Sequence, residues 1–165
     1  MILGHSERRE IFGEDDDIIN KKITAALNNS LKPILCVGEN LQQRNNEKTK
    51  EVVENQLINC LKNVDNAQIP NISIAYEPIW AISRGNPNQK AATAGDAEEI
   101  HKFIRSIIAK MFNERIAEDL RILYGGSMKP ENAKELLSMP NIDGGLVGNA
   151  SLDAKSFAEI VKSAK

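Results

Sequence analysis

A glutamate, Glu77, stands at the end of the hydrophobic run at residues 72–76 and is followed by Pro78 and Trp80. Partial removal of a carboxylate from water raises its pKa toward the range in which it acts as a general base. A glutamate in a loop more often stays in solvent and pairs with a Lys or Arg. The stretch by itself leaves both interpretations open.

A histidine, His5, stands in a comparable position near the start of the chain. It follows the short apolar run at residues 1–3 and Gly4, and the polar segment at residues 6–9 is able to begin a helix. The positive potential of a helix N-terminus disfavours a charged imidazole, so a neutral, hydrogen-bond-donating histidine is predicted there. The alternative is a surface or capping histidine, which is the commoner role of a lone one.

Two short turns of small residues are candidates for binding an anion. They lie at residues 125–127 (GGS) and 148–151 (GNAS), and each joins a strand-like run to a helical pattern. Backbone N–H groups beside a helix N-terminus bind phosphate without a Lys or Arg. One such turn is ordinary turn chemistry, but two on successive strands favour a phosphate site.

The elements that must position these residues alternate along the chain. Strict alternation of strands and helices predicts parallel strands joined by right-handed crossovers, either as an open doubly wound sheet or as part of a barrel. In both architectures the ligand site lies at the carboxyl ends of the strands, where all the candidate residues fall. Strand-like runs lie at residues 1–3, 33–37, 72–76, 121–124 and 145–148, and helical patterns at 16–29, 47–64, 94–113, from about 130, and around 157–161.

Two of the predicted helices carry more detailed local signals. Thr93 with Asp96 three residues later resembles a capping box at the start of the helix after the third strand. In the last helix, the apolar residues Phe157, Ile160 and Val161 recur at helical spacing.

Composition narrows the class of protein. The 165 residues suit one domain, and 41% hydrophobic with 27% charged residues is the balance of a soluble globular chain. No apolar run approaches the roughly 20 residues of a membrane span, and no signal peptide is recognisable, so cytoplasmic residence is expected. A net charge of -2 and few aromatic residues argue against a nucleic-acid partner. Cys36 and Cys60 lie in apolar patterns and are predicted to be reduced core thiols, not metal ligands.

Five motifs carry a family resemblance. In their order and spacing they closely resemble the triosephosphate isomerase family over essentially the whole chain. The resemblance implies an α/β fold of the (β/α)₈ TIM-barrel type, present here as an incomplete barrel of about five βα units in a single domain, residues 1–165. The motifs are GHSERR (4–9), PILCVGE (33–39), AYEPIWAI (75–82), YGGS (124–127) and GLVGNASL (145–152).

The resemblance also implies a function. The family's enzymes are normally dimeric and interconvert dihydroxyacetone phosphate and glyceraldehyde 3-phosphate without a metal or an organic cofactor. Glu77 falls on the family's catalytic base and His5 on its electrophile, a pair that is a well-studied example of pKa tuning. Ser6 and Glu7 match the positions that support the histidine. The backbone positions that grip the substrate phosphate correspond to Ser83, Ser127, Gly148 and Asn149.

Three departures from the family pattern bear on this function. The chain begins within what would be the fourth strand, so the first-strand asparagine and lysine and the third loop, which reaches the neighbouring subunit, have no counterpart here. The lid segment at residues 83–92 is about four residues longer than the family's usual tip. Asn149 stands where the phosphate loop has its second glycine, and asparagine tolerates a positive φ better than most residues.

An incomplete barrel leaves open what covers its edges. Five parallel strands cannot close the family barrel, so the first and last strands are expected to expose edges and part of the apolar interior. A homo-oligomer or a complementing N-terminal fragment would cover them. The leading hypothesis is an isomerase acting on a small phosphorylated triose, and the alternative is a non-catalytic half-barrel module that needs an N-terminal partner for activity.

Overall fold

The fold is described from a computed structural model, and the structure describes residues 1–82 and 91–164. Its centre is a five-stranded sheet in which every neighbouring pair of strands is parallel. The strands are β1 (Ile2–Leu3), β2 (Ile34–Val37), β3 (Ser73–Tyr76), β4 (Ile122–Tyr124) and β5 (Gly144–Gly145).

The order of the strands distinguishes between the two predicted architectures. The sheet runs β1-β2-β3-β4-β5, so neighbours in the sheet are also neighbours in the chain. A doubly wound sheet reverses its strand order at a switch point, whereas a barrel adds each strand on the same side of the last one. The sheet is therefore part of a TIM barrel, with β1 and β5 at its two edges.

Helices connect the strands, and their bounds agree with most of the predicted patterns. The helical pattern at residues 16–29 is α2 and that at 94–113 is α5, while the pattern at 47–64 is shorter in the structure. The last strand lies slightly earlier than the predicted 145–148. The helices are α1 (Ser6–Phe12), α2 (Asp16–Asn28), α3 (Leu41–Asn45), α4 (Thr49–Cys60), α5 (Ala94–Met111), α6 (Glu114–Asp119), α7 (Pro130–Ser138) and α8 (Ala154–Lys162).

The main core lies between the sheet and helices α2, α4 and α5. The central strands β2 and β3 are buried along almost their whole length, as expected for parallel strands covered on both faces. Cys36 and Cys60 are both buried and free, and burial raises the pKa of the Cys60 thiol to about 12. No helix in the described part of the chain is long and apolar enough to cross a membrane.

The predicted capping box at the start of α5 is present. The Thr93 hydroxyl accepts a hydrogen bond from the Asp96 backbone N–H at 3.1 Å, and the Asp96 carboxylate accepts one from the Thr93 backbone N–H at 3.2 Å. The reciprocal bonds satisfy two backbone donors that a helix start otherwise leaves unpaired. They fix the first turn of α5 immediately after the segment at residues 83–90.

The apolar residues of α8 are only partly buried. Ile160 is buried, but Phe157 is 41% exposed and Val161 is 55% exposed. The helix is amphipathic as its spacing predicts, yet it follows the edge strand β5, and the described chain has no element beyond that edge to receive the two side chains. At the opposite edge Ile2 is exposed as well. Both edges of the sheet therefore expose apolar side chains.

Candidate active site

Glu77 and His5 lie at the carboxyl ends of β3 and β1, with the end of β2 between them. The Glu77 backbone N–H donates to the Val37 carbonyl at 2.8 Å, which continues the strand pairing past the end of β3. Next to it, a Cβ atom at Gly38 would overlap the carbonyl oxygen of Glu77. The glycine that ends β2 is therefore required for the close approach of the two strand ends.

Both oxygens of the Glu77 carboxylate have partners. Oε1 lies 3.1 Å from Nε2 of His5, and Oε2 accepts a hydrogen bond from the Ser6 backbone N–H at 3.0 Å. The Glu77 side chain is 3% exposed and that of His5 is 35% exposed. The carboxylate is thus held at the inner end of a partly open site, with the imidazole on its solvent side.

The second ring nitrogen of His5 reveals the tautomer. Nδ1 accepts a hydrogen bond from the Glu7 backbone N–H at 3.4 Å, and His5 is the N-cap residue of α1. A nitrogen that accepts carries no proton, so the network assigns the proton of a neutral ring to Nε2, which faces Glu77. One imidazole therefore serves both roles that the sequence posed as alternatives: it caps a helix and presents an N–H to the site.

The environment of Glu77 favours the protonated carboxyl group more than water does. Burial raises the pKa of the carboxyl group above its ordinary value, and this effect outweighs the opposing influence of His5, the Ser6 N–H and Arg9. The loop after β4 contributes to the burial, because Gly125 approaches so closely that a Cβ there would lie 2.8 Å from Cγ of Glu77. A carboxyl group with a raised pKa is suited to taking up a proton and returning it.

A cavity of about 530 Å³ joins this pair to the two glycine-containing turns. Its wall includes six of the predicted site residues, whereas Ser6 contributes through its backbone bond to Glu77. The predicted phosphate-binding position Ser83 lies outside the described residues. The six are His5, Glu7, Glu77, Ser127, Gly148 and Asn149.

The two turns are held in place by their own hydrogen bonds. Asn132 in α7 donates from its side chain to the Ser127 carbonyl at 3.0 Å and accepts from the Lys129 backbone N–H at 2.8 Å. Asn149 opens a short 3₁₀ helix, Asn149–Leu152, and is not among the described non-glycine residues with positive φ. The asparagine is therefore accommodated here without the left-handed backbone conformation considered from the sequence.

A buried glutamate shortly after β2 binds side chains that come before residues 83–90. Glu39 is fully buried and accepts hydrogen bonds from the Trp80 indole N–H at 2.8 Å and from the Tyr76 hydroxyl at 3.1 Å. The Arg44 guanidinium lies 4.0 Å from the centre of the Trp80 ring and donates to Asp96 at 2.8 Å. Arg44 thus connects the residues on either side of residues 83–90. The sequence signal that could have indicated the contact with Glu39 was Trp80, since a buried indole N–H needs a hydrogen-bond acceptor.

The fold and the cavity define the class of protein. A parallel sheet that adds strands in chain order, with its cavity at the carboxyl ends and two glycine-containing turns after its last strands, is an α/β protein of the barrel type. Comparison with known proteins then specifies the family. The family model described as triosephosphate isomerase matches residues 1–164, and the chain belongs to the triosephosphate isomerase family.

Curated relatives agree with this assignment. The chain is 53% identical over 165 residues to the triosephosphate isomerase of Chloroherpeton thalassium, covering 100% of this chain and 64% of that protein. It is 54% identical over 162 residues to that of Carboxydothermus hydrogenoformans, covering 98% of this chain and 63% of the relative. The chain therefore spans about 64% of the length of the curated relatives it matches.

Proposed function

We propose that this chain carries the proton-transfer machinery of a triosephosphate isomerase, which interconverts dihydroxyacetone phosphate and glyceraldehyde 3-phosphate through an enediolate. The observation that supports this most directly is the contact between His5 Nε2 and Glu77 Oε1 at 3.1 Å at the inner end of the cavity. Membership of the triosephosphate isomerase family makes this reaction the first to test.

In the proposed reaction Glu77 is the base. Its carboxylate removes a proton from one carbon of the triose and returns it to the neighbouring carbon. A second proton passes from the substrate hydroxyl oxygen to the former carbonyl oxygen, so that neither the base nor the substrate gains or loses a proton overall. Burial raises the pKa of Glu77, and this reduces the difference in pKa between its carboxyl group and the substrate carbon that gives up the proton. His5 lies between this base and the open side of the cavity, where the reacting carbons would have to enter.

His5 is the proposed electrophile. The Nε2–H of a neutral imidazole donates a hydrogen bond to the carbonyl oxygen of the substrate and to the negative charge that develops there as the enediolate forms. The Glu7 backbone N–H at Nδ1 supports this role because it holds the ring in the tautomer that has its proton on Nε2. Ser6 positions the base through its backbone N–H.

The substrate phosphate is proposed to lie at the turns after β4 and β5. Ser127, Gly148 and Asn149 line this part of the cavity, and we propose that Ser83 joins them from the lid segment. Backbone N–H groups next to the starts of α7 and the 3₁₀ helix are suited to an anion. The distance from the base to these turns would set which substrate carbon reaches Glu77.

The exposed edges favour a second candidate, in which this chain works only as one part of an assembled barrel. Phe157 and Val161 on α8 and Ile2 on β1 are apolar and exposed at opposite edges of the sheet. We propose that a second copy of the chain or an N-terminal fragment covers them, and that residues 1–165 fold as one domain within that assembly. Free buried thiols are consistent with a reducing compartment, and we propose the cytoplasm.

An assay of isomerisation separates the two candidates. The purified chain would be tested alone and after mixing with the first three βα units of the Chloroherpeton thalassium relative, with Glu77→Gln measured in both settings. Activity of the chain alone that Glu77→Gln abolishes supports a self-sufficient isomerase. Activity that appears on mixing and again requires Glu77 supports the assembly module. Activity that is unchanged in the Glu77→Gln protein would refute the proposed chemistry in either setting.

A further inference from the structure

Lys129 is the one lysine or arginine in the cavity wall among the residues that the structure describes. It precedes α7 as its N-cap residue and is exposed, and Asn132 holds its backbone in place. The structure pairs its ammonium group with no carboxylate of the described chain. Lys129 lies two residues after Ser127, next to the turn that follows β4.

Asp153 adds a negative charge to the wall of the same cavity. It is the N-cap residue of α8 and accepts a hydrogen bond from the Ser156 backbone N–H at 2.8 Å. This bond lowers the pKa of the Asp153 carboxyl group, so the group is anionic at neutral pH. Glu7 and Glu77 add further carboxyl groups to the described wall. A phosphate dianion entering the cavity therefore meets more acidic side chains than basic ones.

We propose that Lys129 is the cationic side chain that binds the substrate phosphate in this cavity and that Asp153 opposes it, so that the two charges together set the affinity for phosphorylated ligands. This assignment rests on the proposed function and adds a specificity-determining pair to it. Backbone N–H groups supply direction and hydrogen bonds to a phosphate, but a full positive charge supplies long-range attraction that they lack. A lysine without an ion-pair partner can turn toward an incoming anion without first breaking a salt bridge.

The two charges predict effects of opposite sign, which a general loss of folding would not produce. Titration of inorganic phosphate, followed by calorimetry near neutral pH at low salt, measures the affinity directly. Lys129→Gln is expected to weaken binding about three- to tenfold and to reduce its salt dependence, since one partly exposed charge contact is lost. Lys129→Arg is expected to retain binding. Asp153→Asn is expected to tighten it about two- to fivefold, because asparagine remains a good N-cap residue while the repulsion is removed.

Lys134→Gln is the matched control, because Lys134 lies on the same helix, is exposed, and is not part of the cavity wall. The assignment is overturned if Lys129→Gln binds phosphate as Lys134→Gln does, if Asp153→Asn weakens binding, or if the unmodified chain shows no saturable binding. Isomerisation assayed on Glu77→Gln keeps the two ideas distinguishable. If Glu77→Gln loses activity and phosphate binding does not depend on Lys129, the role of Lys129 is refuted and the proposed reaction is still supported.

Discussion

The substitution Glu77→Gln tests the electrostatics of the candidate base through stability as well as through activity. Oε2 of the carboxylate accepts a hydrogen bond from the Ser6 N–H, and Oε1 lies 3.1 Å from Nε2 of His5. A glutamine has one accepting oxygen, so in either orientation its NH₂ group faces a donor. The expected cost is about 1–3 kcal/mol in the free energy of unfolding, because a buried group is left without a partner. Because a glutamine amide does not titrate between acidic and neutral pH, this cost does not depend on pH.

A second effect does depend on pH, and its sign follows from the direction in which burial moves the pKa. Burial raises the pKa of Glu77 in the folded protein, so the folded state binds this proton more tightly than the unfolded state. The contribution to stability is therefore complete below the unfolded value of about 4.3 and is lost as the pH rises through the folded value. A tenfold difference in proton affinity between the two states corresponds to about 1.4 kcal/mol. The Glu77→Gln protein does not lose stability in this way. The difference in unfolding free energy between it and the unmodified chain therefore becomes smaller as the pH rises.

Urea unfolding of both proteins across the acidic to neutral range measures this difference, and the unfolding free energies are compared at each pH. Glu135→Gln is the control, because Glu135 is an exposed glutamate on α7 that is not part of the cavity wall. Isomerisation, measured in whichever setting is active, is expected to fall about 10²- to 10⁴-fold in Glu77→Gln. A difference in stability that grows with pH would mean that His5 and Ser6 lower the pKa of Glu77 and would refute the reasoning about burial.

Three further substitutions test the framework around the site. Gly38→Ala is expected to destabilise the chain by about 1–3 kcal/mol in urea unfolding, because the new Cβ overlaps the Glu77 carbonyl. Gly95→Ala is the comparison: a Cβ there meets no close atom in α5, and the change should stabilise the chain by about 0.5–1 kcal/mol. Equal effects of the two substitutions would contradict the packing argument. Trp80→Phe should cost about 1–3 kcal/mol in the same assay by removing the indole bond to a buried carboxylate, and an unchanged midpoint would argue against that bond. Light scattering should give the unmodified chain a mass above its 18.2 kDa, with Phe157→Asp returning it to that value, and an unmodified monomer would refute coverage by a second copy.

The sequence was sufficient to predict features that depend on local spacing. The alternation of strands and helices, the grouping of candidate residues at strand ends, and the Thr93–Asp96 capping box all follow from residues close together in the chain. Arg44 illustrates what was missed. Its contacts with Trp80 and Asp96 join residues far apart in the chain, and no local pattern records which distant side chains an arginine meets.

The stripe on α8 shows a different limit. Helical periodicity identifies which face of a helix is apolar, but burial also requires an element for that face to pack against. For α2 and α5 the neighbouring helices and the sheet provide one, and Ile19, Ile23 and Ile104 are fully buried. For α8 the described chain provides a packing surface for Ile160, which is buried, but not for Phe157 and Val161, which are exposed.

The position of the exposed edges relative to Glu77 determines what an added partner could change. Every contact described above that places the carboxylate comes from within the chain: the Val37 carbonyl on β2, the close approach of Gly125 after β4, and the Ser6 N–H at the start of α1. The Val37 carbonyl and Gly125 lie at the ends of inner strands, whereas the Ser6 N–H follows the edge strand β1, whose exposed Ile2 lines the same cavity. Phe157 and Val161 lie on α8, which follows the other edge strand, β5. A partner at the β1 edge would therefore change the surroundings of the cavity, while the contacts that place the candidate base Glu77 are already made within this chain.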